Sequence, residues 1–206
     1  MMRRWVISGA VVLLALWCVC WLWFRSATAQ DATVYTFSLH VDSSYSVAGP
    51  PTVSAAFITR VLVAYRSPTA GDGQALYDLG VKYGIDPVYA LAFFWHESGF
   101  GTAGEATVTR SLGNERCIPD RPCIDRNRGG FALMQSWEDG FDHWYRLILY
   151  GYVQGQVTLP IVGHDCTTVD QIVPVYAPGG DGNDVAAYIA AVKHAVTTWW
   201  RGQVWV

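Results

Sequence analysis

The run "ALAFFWHESGFG", residues 90–101, holds one carboxylate, Glu97. On a helix, Phe93 and Phe94, four and three positions earlier, flank its face, and Phe100 follows directly. A carboxyl against apolar rings loses hydration of its charged form, and a helix C-terminus further disfavours a negative charge, so its pKa rises. An acid that keeps its proton near neutral pH suits general acid catalysis. The competing reading is an ordinary solvated Glu at a helix end. His96 is adjacent but points about 100° away around the axis, which makes it a packing or supporting histidine. The five His are scattered along the chain, so no metal site and no cofactor are expected.

A second group of reactive side chains lies in "NERCIPDRPCIDRNRGG", residues 114–130. Five residues, two of them proline, separate Cys117 from Cys123. In an oxidising compartment a local disulfide is the simplest reading of that spacing, with zinc as the other reading. Cys166 is then odd, either a buried thiol or a competitor for one of the other two. Glu115, Asp120 and Asp125 are the acids of this loop. They are interleaved with Arg116, Arg121, Arg126 and Arg128, neighbours that hold an Asp ionised and paired.

Helices must position these groups. "TVSAAFITRVLVAYRS" has apolar residues at helical spacing, and "QALYDLGVKYG" reads as a second short helix closed by Gly84. In "IDPVYALAFFWHESG" Asp86 is the expected N-cap, Pro87 the first helical residue, and Gly99 with Gly101 the stop. "EDGFDHWYRLILYGYV" reads as a fourth helix, "TTVDQIVPVYAP" as a short one, and "DVAAYIAAVKHAVTTWWRG" as a terminal helix capped by Asn183 or Asp184. "FALMQSW" reads as a short extended piece. The expected class is mainly α, with irregular loops and little β, over residues 51–206, and residues 30–50 serve as a linker or edge strand.

The chain has 206 residues, ten Trp, eleven Tyr and only 15% charged residues. Those values suit one globular domain, and no basic block suggests a nucleic-acid partner. Arg3 and Arg4 precede an uncharged, mostly apolar run to Phe24, and Ala27-Thr28-Ala29 has the form of a signal-peptidase site. Residues 1–29 therefore read as a cleaved signal peptide or an uncleaved membrane anchor, and the rest as extracytoplasmic, secreted or held at the outer face of the membrane. Beyond residue 29, 11 Lys+Arg face 17 Asp+Glu, a net charge of −6 with His neutral. Contact with the membrane is expected only through the N-terminal segment, and the domain is expected to be a monomer.

"YGIDPVYALAFFWHESGFGTAGEATVTRSLGN" resembles the bacterial cell-wall N-acetylglucosaminidase family, the flagellar-muramidase and autolysin type, within the lysozyme-like superfamily. The family pattern is a G-I-x-P turn into a helix that ends in E-S-G-x-G, followed by an N-x-x-G-like segment. Here these are Gly84 to Pro87, Glu97 to Gly101, and Leu112-Gly113-Asn114. "FALMQSWEDGFDHWYRLI" is similar to the family's F-x-x-Y-x-S stretch and following helix, and "YAPGGDGNDVAAYIAAV" to its Y-A-x-D-x-x-Y-x-x-x-V ending, so that residues 53–200 are covered. The resemblance implies a lysozyme-like domain that hydrolyses β-1,4 bonds of peptidoglycan glycan strands. Glu97 would be the general acid, Tyr176 a tyrosine of the sugar cleft, and Ser98, Phe100 and Asn114 residues that shape or line it. Family members often carry a second acid on a β-hairpin after the first motif. No hairpin motif is recognisable here; Asp125 ranks first because it lies closest before the "GGF" return. "ALMQ" resembles the G-L-M-Q of the lytic transglycosylases, which work with one catalytic Glu. That activity, and a non-catalytic glycan-binding or structural role, are the alternatives.

Overall fold

The computed structural model describes residues 45–155 and 166–206. The proposed leader, residues 1–29, and the linker up to residue 44 lie outside the described residues. Within them the chain is mainly α, as its periodicity requires. Helix α1 (Ala55–Ala64) starts at Ser54, whose hydroxyl accepts from the Phe57 amide. Helix α2 (Gly73–Tyr83) stops at Gly84 in the left-handed region, φ 65°. Helix α3 (Pro87–Ser98) has the expected ends: the Asp86 side chain accepts from the Val88 amide, proline opens the first turn and Gly99 closes the last at φ 54°. A single turn, α4 (Ala106–Thr109), follows.

Helix α3 is apolar all round because it is surrounded. Every residue from Pro87 to Phe94 is buried, which is how such a helix avoids exposing a hydrophobic face. It packs against α2 and against the terminal helix α7 (Val185–Trp200), while α1 packs on α2 and α6 (Val169–Tyr176) on α7. Helix α5 (Trp137–Arg146) leans on α2 and puts Phe141, Trp144 and Tyr145 into the core. Asp184, one of the two expected caps of α7, accepts from the Ala187 amide at 3.0 Å.

Three local features differ from the sequence reading. The fourth helix is α only to Arg146 and continues as a π-helical stretch, Leu147–Val153. A hairpin does exist: β1 (Cys123–Ile124) pairs antiparallel with β2 (Phe131–Ala132), and Asp125 begins its turn at φ 47°. Two-residue strands carry too little alternation to be read as strands. Finally, the packed domain takes in residues from at least Tyr45, ahead of the expected boundary at 51. Val47 is fully buried; its amide donates to Thr167 O and its carbonyl accepts from the Asp86 amide.

Cys117 and Cys123 form the expected disulfide, with Cα atoms 5.2 Å apart. Cys166 is buried and stands apart from it. No helix among the described residues is long and apolar enough to cross a membrane.

Candidate active site

The last turn of α3 delivers Glu97 to a cleft of about 850 Å³. Glycine caps the helix immediately afterwards, so the chain turns away and leaves the carboxyl at the wall. Ser98 makes this turn rigid: its hydroxyl donates to Leu112 O at 2.8 Å and accepts from the Gly101 amide at 3.0 Å. At 2% exposure, Ser98 shapes the cleft and does not line it. Phe100 does not line it either. With φ 58° its ring is directed into the core, between Tyr65 and Trp199, so the expectation that it lines the cleft is corrected.

Two hydrogen-bond donors hold the Glu97 carboxyl. Tyr188 Oη donates to Oε1 at 2.6 Å, and Asn114 Nδ2 donates to Oε2 at 3.2 Å. Asn114 also donates to the Glu97 carbonyl at 3.0 Å and sits in the left-handed region, φ 50°. Burial pushes the Glu97 pKa above the ordinary carboxylate value; the two donors and the positive charge of Arg116 pull against it without reversing the direction. The carboxylate left after transfer of its proton already has two donors. Phe93, one helical turn earlier, touches the rings of Tyr176 and Tyr188. His96 faces the outer side of Tyr188, ring centroids 3.9 Å apart, and desolvation lowers its pKa; it supports the tyrosine and makes no dyad with Glu97.

Tyr176 lines the cleft as expected. Its hydroxyl donates to Gly113 O at 2.6 Å. A Cβ at residue 113 would stand 2.7 Å from that hydroxyl and 2.5 Å from Trp144 Cδ1, which explains why "LGN" has glycine at its centre. The cleft is also lined by the π-helical stretch, through Leu147, Tyr150 and Tyr152, and by the disulfide-closed segment 115–120. Wide π-helical turns are frequent at functional sites because they re-aim side chains.

The loop acids separate clearly. Asp125 is not among the cleft-lining residues; it pairs with Arg128 at 3.1 Å, and Arg128 also binds Glu105. Asp120 lines the rim, is 58% exposed in its side chain and pairs with Arg121. Glu115 also lines the cleft, and burial raises its carboxyl to about 7. Sequence reasoning weighed Glu115 below Asp125 and passed over Tyr188. Tyr188 is the second tyrosine of "YAPGGDGNDVAAYIAAV", so the motif contained it, but only the packing of α7 on α3 aims it at Glu97. Among the described residues no cluster of His, Cys, Asp or Glu has the makings of a metal site. Comparison of the chain with family models, curated proteins and solved structures finds no match in any of the three.

Proposed function

We propose that the domain is a lysozyme-like, extracytoplasmic glycoside hydrolase that cleaves β-1,4 bonds in peptidoglycan glycan strands, with Glu97 as the general acid. The observation that carries this reading is a partly buried carboxyl at the wall of a cleft, raised in pKa and held by Tyr188 and Asn114. In the reaction Glu97 gives its proton to the glycosidic oxygen as the bond to the anomeric carbon lengthens. The developing carboxylate is then stabilised by the same two donors, at no further cost in reorganisation. Tyr150, Tyr152 and Tyr176, together with Phe131 under the Arg116 guanidinium, supply apolar faces of the kind that pack against pyranose rings. The disulfide supports an oxidising compartment.

The test is digestion of purified sacculi followed by mass spectrometry of the products. N-acetylglucosamine reducing ends are expected. N-acetylmuramic acid ends would reassign the bond, anhydro-muramic ends would make the enzyme a lytic transglycosylase, and no products would leave a glycan-binding module. Glu97→Gln keeps the shape of the side chain but cannot donate the proton. It should lower turnover by about 10²–10⁴-fold, the usual contribution of general acid catalysis, with glycan binding retained; turnover equal to that of the wild type would remove Glu97 from the reaction.

A further inference from the structure

Among the described residues, two buried side-chain oxygens lack a hydrogen-bond partner, Asn114 Oδ1 and Glu115 Oε2. Asn114 and Glu115 line the cleft. The Glu115 oxygen is the costly one. A buried carboxyl without a donor is expensive in either protonation state, and such groups are kept at sites where they are used.

The backbone of Glu115 is fixed from both sides. Its amide donates to Ser111 Oγ at 3.0 Å, and its carbonyl accepts from the Ala132 amide of β2 at 3.0 Å. Glu115 therefore cannot swing out to solvent by a simple loop movement, and the disulfide two residues on closes the same segment. The charged groups acting on it are Arg146 and Arg121, which favour its ionised form, and Asp120 and Asp139, which oppose it; Tyr152 and Tyr176 are the hydroxyls within its field. Among the described residues none of the four charged groups comes close enough to form an ion pair with it.

We infer that Glu115 is the second carboxyl of the site, the general base that activates the hydrolytic water on the side of the cleft opposite Glu97. This rests on the glycosidase reading above. Both carboxyls line the same cleft. A base that acts on water makes the scheme an inverting one, in which the two carboxyls stand about 6.5–9.5 Å apart to leave room for that water. In the step, the water oxygen bonds to the anomeric carbon while one of its protons passes to Glu115. The electron pair of the breaking bond goes to the glycosidic oxygen, which takes the proton of Glu97. Exchange of one proton through solvent restores both carboxyls.

The experiment compares wild type, Glu115→Gln and Glu97→Gln on a β-1,4 N-acetylglucosamine hexasaccharide and on sacculi. The Glu115→Gln enzyme should lose about 10²–10⁴-fold in kcat, with KM little changed and a native circular dichroism spectrum. The wild-type pH profile should carry an ionisation near 7 that is missing from the residual activity of this variant. Early proton NMR spectra of the wild-type reaction should show the α-anomer, the inverted product. With Glu115→Ala, added azide should yield the α-glycosyl azide. Full activity of Glu115→Gln with an unchanged pH profile would make Glu115 structural and overturn the inference, leaving the role of Glu97 intact. A β-anomeric first product, or an anhydro product, would also overturn it. Wild-type enzyme inactive on both substrates would remove the glycosidase reading and this inference with it.

Discussion

At the scale of single residues, the site is a balance between burial and hydrogen bonding around one proton. Glu97 is raised by desolvation and pulled back by Tyr188 and Asn114. Hydrogen bonds to charged groups contribute about 1.5–3 kcal/mol. Tyr188→Phe removes the 2.6 Å bond and leaves the ring. The Glu97 pKa should rise further, because a donor that favours its ionised form is gone. The alkaline limb of the activity profile should move to higher pH, and kcat should fall by about 10–100-fold, since each 1.4 kcal/mol is a factor of ten. An unshifted limb would mean that Tyr188 only packs. The raised carboxyl of Glu97 was legible in the sequence: Phe93, Phe94 and the glycine after Ser98 are local signals, and a helix end is a local event. Tyr188 was not, because it lies 91 positions away from Glu97 and meets it only through the crossing of two helices.

At the scale of elements, the chain follows its local chemistry where the elements are long. Asp86, Pro87 and Gly99 bound α3 as their types require, and the same holds for Gly84 and Asp184. Local chemistry fails where tertiary contacts decide. "LILYGYV" has helical periodicity, but its backbone widens to a π-helix where it meets the cleft, and nothing in the residue pattern separates the two. The hairpin is legible only through its covalent tie. The Cys117–Cys123 disulfide and the pairing of Cys123 with Ala132 together anchor the segment that carries Glu115 to β2. Gly130 closes over the bridge; a Cβ there would stand 2.6 Å from Cys117 Sγ. Closing so short a loop stabilises the fold by at most about 2–3 kcal/mol in the chain-entropy account. The double change Cys117→Ser with Cys123→Ser should therefore leave a folded protein. Both kcat and KM should suffer, as residues 115–120 of the cleft wall loosen and Glu115 with them. Unchanged kcat and KM would show that the bridge does not order the wall.

At the scale of the whole domain, remote parts of the chain are drawn together at the N-terminus of α3. Trp200 Nε1 donates to Thr52 Oγ1 at 2.6 Å, Thr52 Oγ1 donates to Asp86 Oδ2 at 2.6 Å, and the Asp86 amide binds the buried Val47. This closure explains why the domain reaches back beyond the Gly-Pro-Pro signal at residues 49–51, which reads as a boundary but is a turn within packed chain. Val47→Ala removes two buried methyl groups and should cost about 2 kcal/mol by denaturant titration, given about 0.8 kcal/mol per buried methylene and a residual cavity; no loss would place residues 45–48 outside the cooperative unit. The cleft has the opposite effect on stability. Glu115 has an ordinary value of 4.5 and a folded value of about 7. Below 4.5 both states carry the proton and the residue contributes nothing. Between 4.5 and 7 the unfolded chain ionises while the folded one holds its proton, so stability falls as the pH rises, and above 7 the penalty is complete. Asp139, lowered by Arg121, works the other way: its contribution is present above its ordinary value and is lost on acidification. Glu115→Gln removes the first effect and leaves the second. The variant should match the wild type at pH 4.5 and be the more stable of the two at pH 8, by at most about 3 kcal/mol, or several degrees in Tm for a domain of this size. Thermal melts at the two pH values decide it. A variant with the same advantage at both would show that the gain comes from packing, and that the buried carboxyl does not burden the fold near neutral pH.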